Sequence, residues 1–159
     1  MRYKQQYDIS DCGPACIVMI ASFFGVSLNI AKIRSILGTD VEGTNLFGFK
    51  KFALANNFKI KIVKGSKEAF NKKIYTPFIA HMHIERNNNV WVDHYVVVKK
   101  IWKKKIEIWD PDPLYKKQRI TYKKFLDWWT GYAIFLEPDT DFKKSDKKEN
   151  LLLKFISVF

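Results

Sequence analysis

Residues 58–64 read FKIKIVK, apolar and basic side chains in strict alternation. Successive side chains on a strand point to opposite faces, so this period of two predicts a half-buried strand. The chain before it follows a different rhythm. Asp11 is the expected N-cap of a helix over roughly 12–24, with Pro14 in the first turn and Gly25 as its stop. Ser27 or Asn29 opens a second helix, with Ile30, Ile33, Ile36 and Leu37 on one face and Gly38 at its end. Thr44 opens a third, with Leu46, Phe49, Phe52 and Ala53 inward and Asn56 and Asn57 closing it.

After residue 64 the pattern stays strand-like. A short helical turn at 66–71 leads to PFIAHMHIE (77–85), the turn RNNN, WVDHYVVVKKI (91–101) and KKIEIWD (104–110). The sharp turn PDP (111–113) precedes a short strand at 117–120, a helix at 121–129 and a last strand, GYAIFLE (131–137). Helices first and an antiparallel sheet second make an α+β order.

The 159 residues suit one domain, and 47% apolar with 16% aromatic content is ample for a core, which excludes a disordered or fibrous chain. Residues 12–31 carry no charge, but Gly25, Ser27 and Asn29 interrupt them, so two buried helices are expected rather than one membrane span. The polar start MRYKQQYDISD does not read as a secretory signal. Lys143, Lys144, Lys147 and Lys148 precede LLLKFISVF, the arrangement of a cytoplasmic flank before a membrane helix. Residues 139–159 are therefore expected to be a basic linker leading towards a transmembrane region beyond the chain, with residues 1–138 as the folded domain. Two cysteines make no disulfide framework, so a reducing compartment is expected. The net charge of +12 (28 basic, 16 acidic) favours anionic partners without choosing among them.

Chemistry concentrates at a few positions. Cys12 begins the first helix, where unpaired N–H groups and the helix dipole favour an anion and hence a thiolate nucleophile. Cys16, one turn on, reads as core. His94 and Asp110 are symmetric about a turn expected near Trp102 and Lys103, so an in-register hairpin would set them across from each other on one sheet face. A carboxylate beside an imidazole fixes its tautomer and stabilises the imidazolium, as in nucleophile–base–orienter triads. Gln5 and Gln6 are both candidates by chemistry for a side-chain donor to an oxyanion. Asp93 reads as exposed and Asp112 as a turn-former.

QYDISDCGPAC, the strand DHYVVV, the turn WDPDP and the ending WTGYAIFLEP together resemble the C39 peptidases, the N-terminal domains of bacterial ABC transporters that process and export bacteriocins and related peptides. The resemblance runs from about Gln5 to Pro138. It implies a papain-like cysteine peptidase fold, N-terminal helices packed on a C-terminal antiparallel sheet. It also implies Cys12 as nucleophile, His94 as base, Asp110 as its orienter and Gln6 as the oxyanion-hole side chain. The substrate it implies is a precursor peptide whose leader docks as an amphipathic helix and is cut after a Gly-Gly or Gly-Ala pair. Candidates for the docking surface include Phe47 and Phe52. The partners implied are the transmembrane and nucleotide-binding domains of the parent transporter, dimeric at full length, at the cytoplasmic face of the membrane. No cofactor is implied in this domain, ATP belonging to the nucleotide-binding domain.

Other classes make different demands. Relatives that have lost the cysteine serve only as docking domains, whereas this chain keeps Cys12, His94 and Asp110. A zinc module would draw Cys12, Cys16, His81 and His83 together, an unusual spacing. Nucleic-acid binding would use the lysine runs at 99–105, 116–119 and 143–148 with Trp102 and Tyr115 interleaved, against which a solvated lysine-rich surface is the plainer reading and no nucleic-acid partner is expected.

Overall fold

A computed structural model describes residues 1–38, 45–71 and 73–139 of the chain. After a 3-10 turn at Ile9–Asp11 come three helices, α1 (Cys12–Phe23), α2 (Ile30–Leu37) and α3 (Leu46–Ala55). The strands follow: β1 (Phe58–Lys64), β2 (Phe78–Arg86), β3 (Val90–Ile101), β4 (Lys105–Trp109) and β5 (Lys117–Thr121). Helix α4 (Tyr122–Trp128) and strand β6 (Trp129–Pro138) complete the described fold. The α+β order is therefore observed, and β1 spans the residues its alternation marks.

The six strands form one antiparallel sheet in the order β1-β6-β2-β3-β4-β5. β2 to β5 are a meander. β6 returns between β1 and β2, pairing Phe58 with Pro138 through to Lys64 with Tyr132. Alternation sorts the strand residues into two cores. Ile79, Tyr95, Val97 and Ile134 join Ile17, Ile20, Phe49 and Phe52 of the helices in the first. Ala80, Val96, Val98 and Ile108 join Phe70, Phe125 and Trp129 in the second, on the α4 side. The apolar run Tyr95–Val98 is thus buried on both faces, as the interior strand of a two-sided sheet must be.

Several helix boundaries follow their caps. Asn29 Oδ1 accepts from the N–H of Ala31 at 2.8 Å, and Gly38 closes α2 at φ 65°, where a Cβ would be strained. The start of α3 differs from expectation: Asn45 is the N-cap, accepting from Gly48 N–H at 2.9 Å, and Thr44 lies outside the described residues. Asp11 is not a side-chain cap either. Asp8 caps the preceding 3-10 turn, and Asp11, fully buried, turns back to accept from the Asp8 N–H at 3.2 Å and from both Nε and Nη2 of Arg34. The α1 start is thereby held by a fork from α2, with the carboxylate charge answered by a guanidinium.

Phe52 is fully buried, and Phe47 is 63% exposed, so these two docking candidates separate. Phe52→Ala is expected to cost about 3–5 kcal/mol in urea unfolding, and Phe47→Ala no more than about 0.5 kcal/mol. Equal costs would contradict this division. Among the described residues no helix is long and apolar enough to cross a membrane. The basic linker expected over 139–159 lies, from residue 140 on, outside the described residues.

Candidate active site

Three elements meet at the site: the start of α1, the middle of β3 and the residue after β4. The last rung of the β3–β4 ladder pairs Val97 with Trp109, beyond an irregularity between Val98 and Lys100. One step further on, Asp110 lines up with position 96. His94 is thus its diagonal neighbour and not its direct partner, a register two residues away from the symmetric hairpin expected. Position 94 and position 96 share a face, so the diagonal reach succeeds: His94 Nε2 lies 2.7 Å from Asp110 Oδ1. Both side chains are buried, at 6% and 1% exposure.

Asp110 is fixed from every side. Its Oδ1 also accepts from the Asp112 N–H at 2.9 Å, and its Oδ2 from Arg86 Nη2 at 2.8 Å. Its backbone N–H donates to Lys116 O at 2.8 Å, and its carbonyl accepts from the Tyr3 hydroxyl at 2.7 Å. Burial would push the carboxyl up, but hydrogen bonds and charge from His94 and Arg86 hold it below the usual carboxylate value.

Cys12, at the start of α1, also acts on the His94 ring and favours its charged form. Nε2 is engaged by Asp110, which leaves Nδ1 as the ring nitrogen available to the sulfur. Burial disfavours the imidazolium, yet the hydrogen bonds and charges of Asp110 and Cys12 outweigh it and raise the His94 pKa to about 9. The Cys12 sulfur, an imidazole that stays protonated through neutral pH and an ionised carboxylate are therefore brought together. Such an arrangement can deliver a sulfur nucleophile and then a proton.

Gln6 joins this region through its backbone, donating to Pro111 O at 2.9 Å. Its Oε1 is buried and has no hydrogen-bond partner among the described residues, while Gln5 is exposed. Asp112 forms the turn, accepting from Leu114 N–H at 3.0 Å. Asp93 is 72% exposed and pairs with His83 at 2.9 Å. Cys16 is fully buried, and burial pushes its thiol well above the usual value. His81 Nδ1 lies 2.9 Å from Thr130 Oγ1. Both remaining histidines thus have partners other than the cysteines. Among the described residues no group of three or more His, Cys, Asp or Glu is placed to hold a metal. The Trp102 ring is flanked by Lys100 and Arg119, at 5.5 and 4.6 Å from its centroid.

Three contributors escape sequence reasoning. Tyr3, Arg34 and Arg86 reach the site from 107, 23 and 24 residues away. Arg86 reads as the first letter of a polar turn, and no spacing links it to Asp110. Arg34 could have been sought as the answer to a carboxylate flanked by apolar sequence.

Residues 1–141 match the family model described as Peptidase C39 family. The lactococcin-G-processing and transport ATP-binding protein LagD of Lactococcus lactis subsp. lactis is 37% identical over 154 residues, 96% of this chain and 21% of that protein. The transport/processing ATP-binding protein ComA of Streptococcus pneumoniae is 32% identical over 98% of this chain and 21% of its own length. The chain thus spans about a fifth of the curated relatives it matches. Among solved structures, the peptidase domain of Streptococcus ComA superposes with a TM-score of 0.76 at 33% identity, over 87% of this chain and 100% of that domain.

Proposed function

The chain belongs to the C39 peptidase family, and on that premise we propose that it is the leader-cleaving domain of a bacterial peptide exporter, cutting a precursor after a Gly-Gly or Gly-Ala pair. The Cys12 sulfur, as the thiolate partner of the His94 imidazolium, attacks the carbonyl carbon of the second small residue, forming a C–S bond. Its oxyanion is held by the Gln6 amide and the Cys12 backbone N–H. His94 gives its Nδ1 proton to the leaving amine as the C–N bond breaks. Neutral His94 then takes a proton from water, which attacks the thioester and frees both the leader acid and Cys12. The observation that carries this reading is the buried pair His94 Nε2–Asp110 Oδ1 at 2.7 Å, with Cys12 near enough to raise the His94 pKa beside it.

Two small residues suit a slot that excludes branched side chains, and helix-spaced apolar anchors on the leader would add affinity at a distance. Phe47 and Leu54, 63% and 85% exposed and two turns apart on α3, support a docking face there, whereas buried Phe52 does not belong to it. The surrounding transporter, its dimeric state and a station at the cytoplasmic face of the membrane complete the proposal. ATP chemistry is assigned to another domain, and no cofactor to this one.

The test is a synthetic precursor with a double-glycine leader, followed by chromatography and mass. Cleavage after the second glycine, blocked when that glycine becomes Val, is the expected result. Binding without cleavage would identify a docking domain instead. The raised pKa of His94 also sets a limit: protonated below about 9, it loses the proton it must donate above that value. kcat/KM should accordingly fall as pH rises through about 9, and a fall centred near the ordinary histidine value of about 6.5 would contradict the buried ion pair.

A further inference from the structure

Asp110 has two carboxylate oxygens, and His94 uses Oδ1 alone. Oδ2 is taken by Arg86, the last residue of β2, in a pair whose side chains are 14% and 1% exposed. The guanidinium carbon of Arg86 also sits 3.7 Å from the centroid of the Tyr115 ring, in the turn that follows Asp110. The guanidinium is therefore clamped between a carboxylate edge and an aromatic face, a geometry that a planar delocalised cation can fill and an ammonium cannot. Held at one oxygen, a carboxylate can swing about its last torsion. Held at both, it cannot.

We propose that Arg86 is a positioning residue of the catalytic centre, an inference that rests on the peptidase reading above. It aims Asp110 Oδ1 at His94, and it keeps that carboxylate charged during the steps in which His94 is neutral. Once the imidazolium has given its proton to the leaving amine, a buried carboxylate without Arg86 would have no opposite charge beside it, and an unpaired buried charge is costly. His94 would hold its proton more tightly to avoid that state. Removing the cation therefore slows proton donation and moves the titrations of both Asp110 and His94 upward, since each loses a positive neighbour.

The test compares Arg86→Gln, Arg86→Lys, Tyr115→Leu and Tyr115→Phe in precursor cleavage against pH. Arg86→Gln is expected to lower kcat on the order of 10- to 100-fold, the scale on which the hydrogen-bonded partners that orient metal-ligating side chains act, with KM unchanged. Its basic limb should lie above the wild-type position near pH 9. Arg86→Lys should restore the limb and part of kcat, because it returns the charge without the fork. Tyr115→Leu should fall between, and Tyr115→Phe should match wild type, because the stacking uses the ring alone. A residue that merely props the fold would lower the active fraction and leave the profile in place. The rate of Cys12 alkylation against pH reads the same His94–Asp110 unit without substrate. A precursor left uncut by the wild-type chain thus overturns the peptidase reading, whereas an Arg86→Gln alkylation profile identical with wild type overturns this inference. Should Arg86→Gln fail to fold, an unshifted profile in Arg86→Lys and Tyr115→Leu with full kcat overturns it equally.

Discussion

Cys12→Ala is expected to reduce precursor cleavage on the order of 10⁶-fold, the scale on which removal of a covalent nucleophile abolishes turnover in comparable triads. No other thiol can take over, because Cys16 is fully buried and burial disfavours its thiolate strongly. The fold should hardly notice: a 5%-exposed sulfur is lost from the edge of the first core, a change worth about 1 kcal/mol. Leader binding should survive, because the anchors proposed on α3 are untouched. Cys16→Ala is the matched control, with a comparable stability cost and full turnover. Cleavage by the Cys12→Ala protein would end the proposal.

Asp110→Ala is the second large effect, and it reaches both activity and stability. With the carboxylate gone, His94 loses the partner that raises its pKa and sits beside the bare Arg86 cation, which disfavours the imidazolium further. The expected loss in kcat is on the order of 10⁴-fold, as for the acidic member of other triads. Asp110→Asn should lose a comparable amount, because a neutral amide no longer stabilises the imidazolium. Its amide oxygen can still accept from His94 and from the Asp112 N–H, though the amide nitrogen would then confront the Arg86 donor.

Removing one member of a buried ion pair costs about 3–5 kcal/mol, and here the cost should depend on pH. The folded value of His94, about 9, lies above its ordinary 6.5, so its contribution is complete below 6.5 and is lost as pH rises through 9. Asp110 lies below its ordinary 3.8, so its contribution is present above 3.8 and is lost as pH falls through the folded value. The stability gap between wild type and Asp110→Ala should therefore be widest near pH ~5 and narrow towards pH ~9.5, measured by urea unfolding across that window. A gap independent of pH would contradict the ionic account.

Much of this was legible from local pattern. The alternation FKIKIVK delivered β1 residue for residue, and Asn29 and Gly38 bound α2 as their chemistry suits, because capping and strand alternation are decided within a few residues. Cys12, His94 and Asp110 stand out as candidates through motifs and the resemblance they carry, and the fold joins His94 to Asp110. The His94–Asp110 geometry was only half legible. Symmetry about the turn gave the right face and the wrong rung, because the turn is centred past Lys103, with Ile101 opposite Ile106; the irregularity between Val98 and Lys100 returns the ladder by one residue and so sets Asp110 opposite position 96. Asp11 misled for a related reason. It has the side chain of a helix cap, but Asp8 begins the turn earlier and Arg34 claims the Asp11 carboxylate from another helix. Arg86 and Tyr3 are contacts that only the closed sheet brings together, so nothing along the chain marks them.

In the proposed reaction Cys12, acting with His94, forms a covalent bond to the carbonyl after the small-residue pair. Rapid quenching of a single turnover, followed by digestion and mass spectrometry, measures that bond directly. The account predicts a thioester joining the leader's last glycine to the fragment that carries Cys12, unchanged by Cys16→Ala and undetectable in His94→Ala. A leader attached at Cys16, or cleavage that proceeds at the wild-type rate with Cys12 blocked, would contradict it.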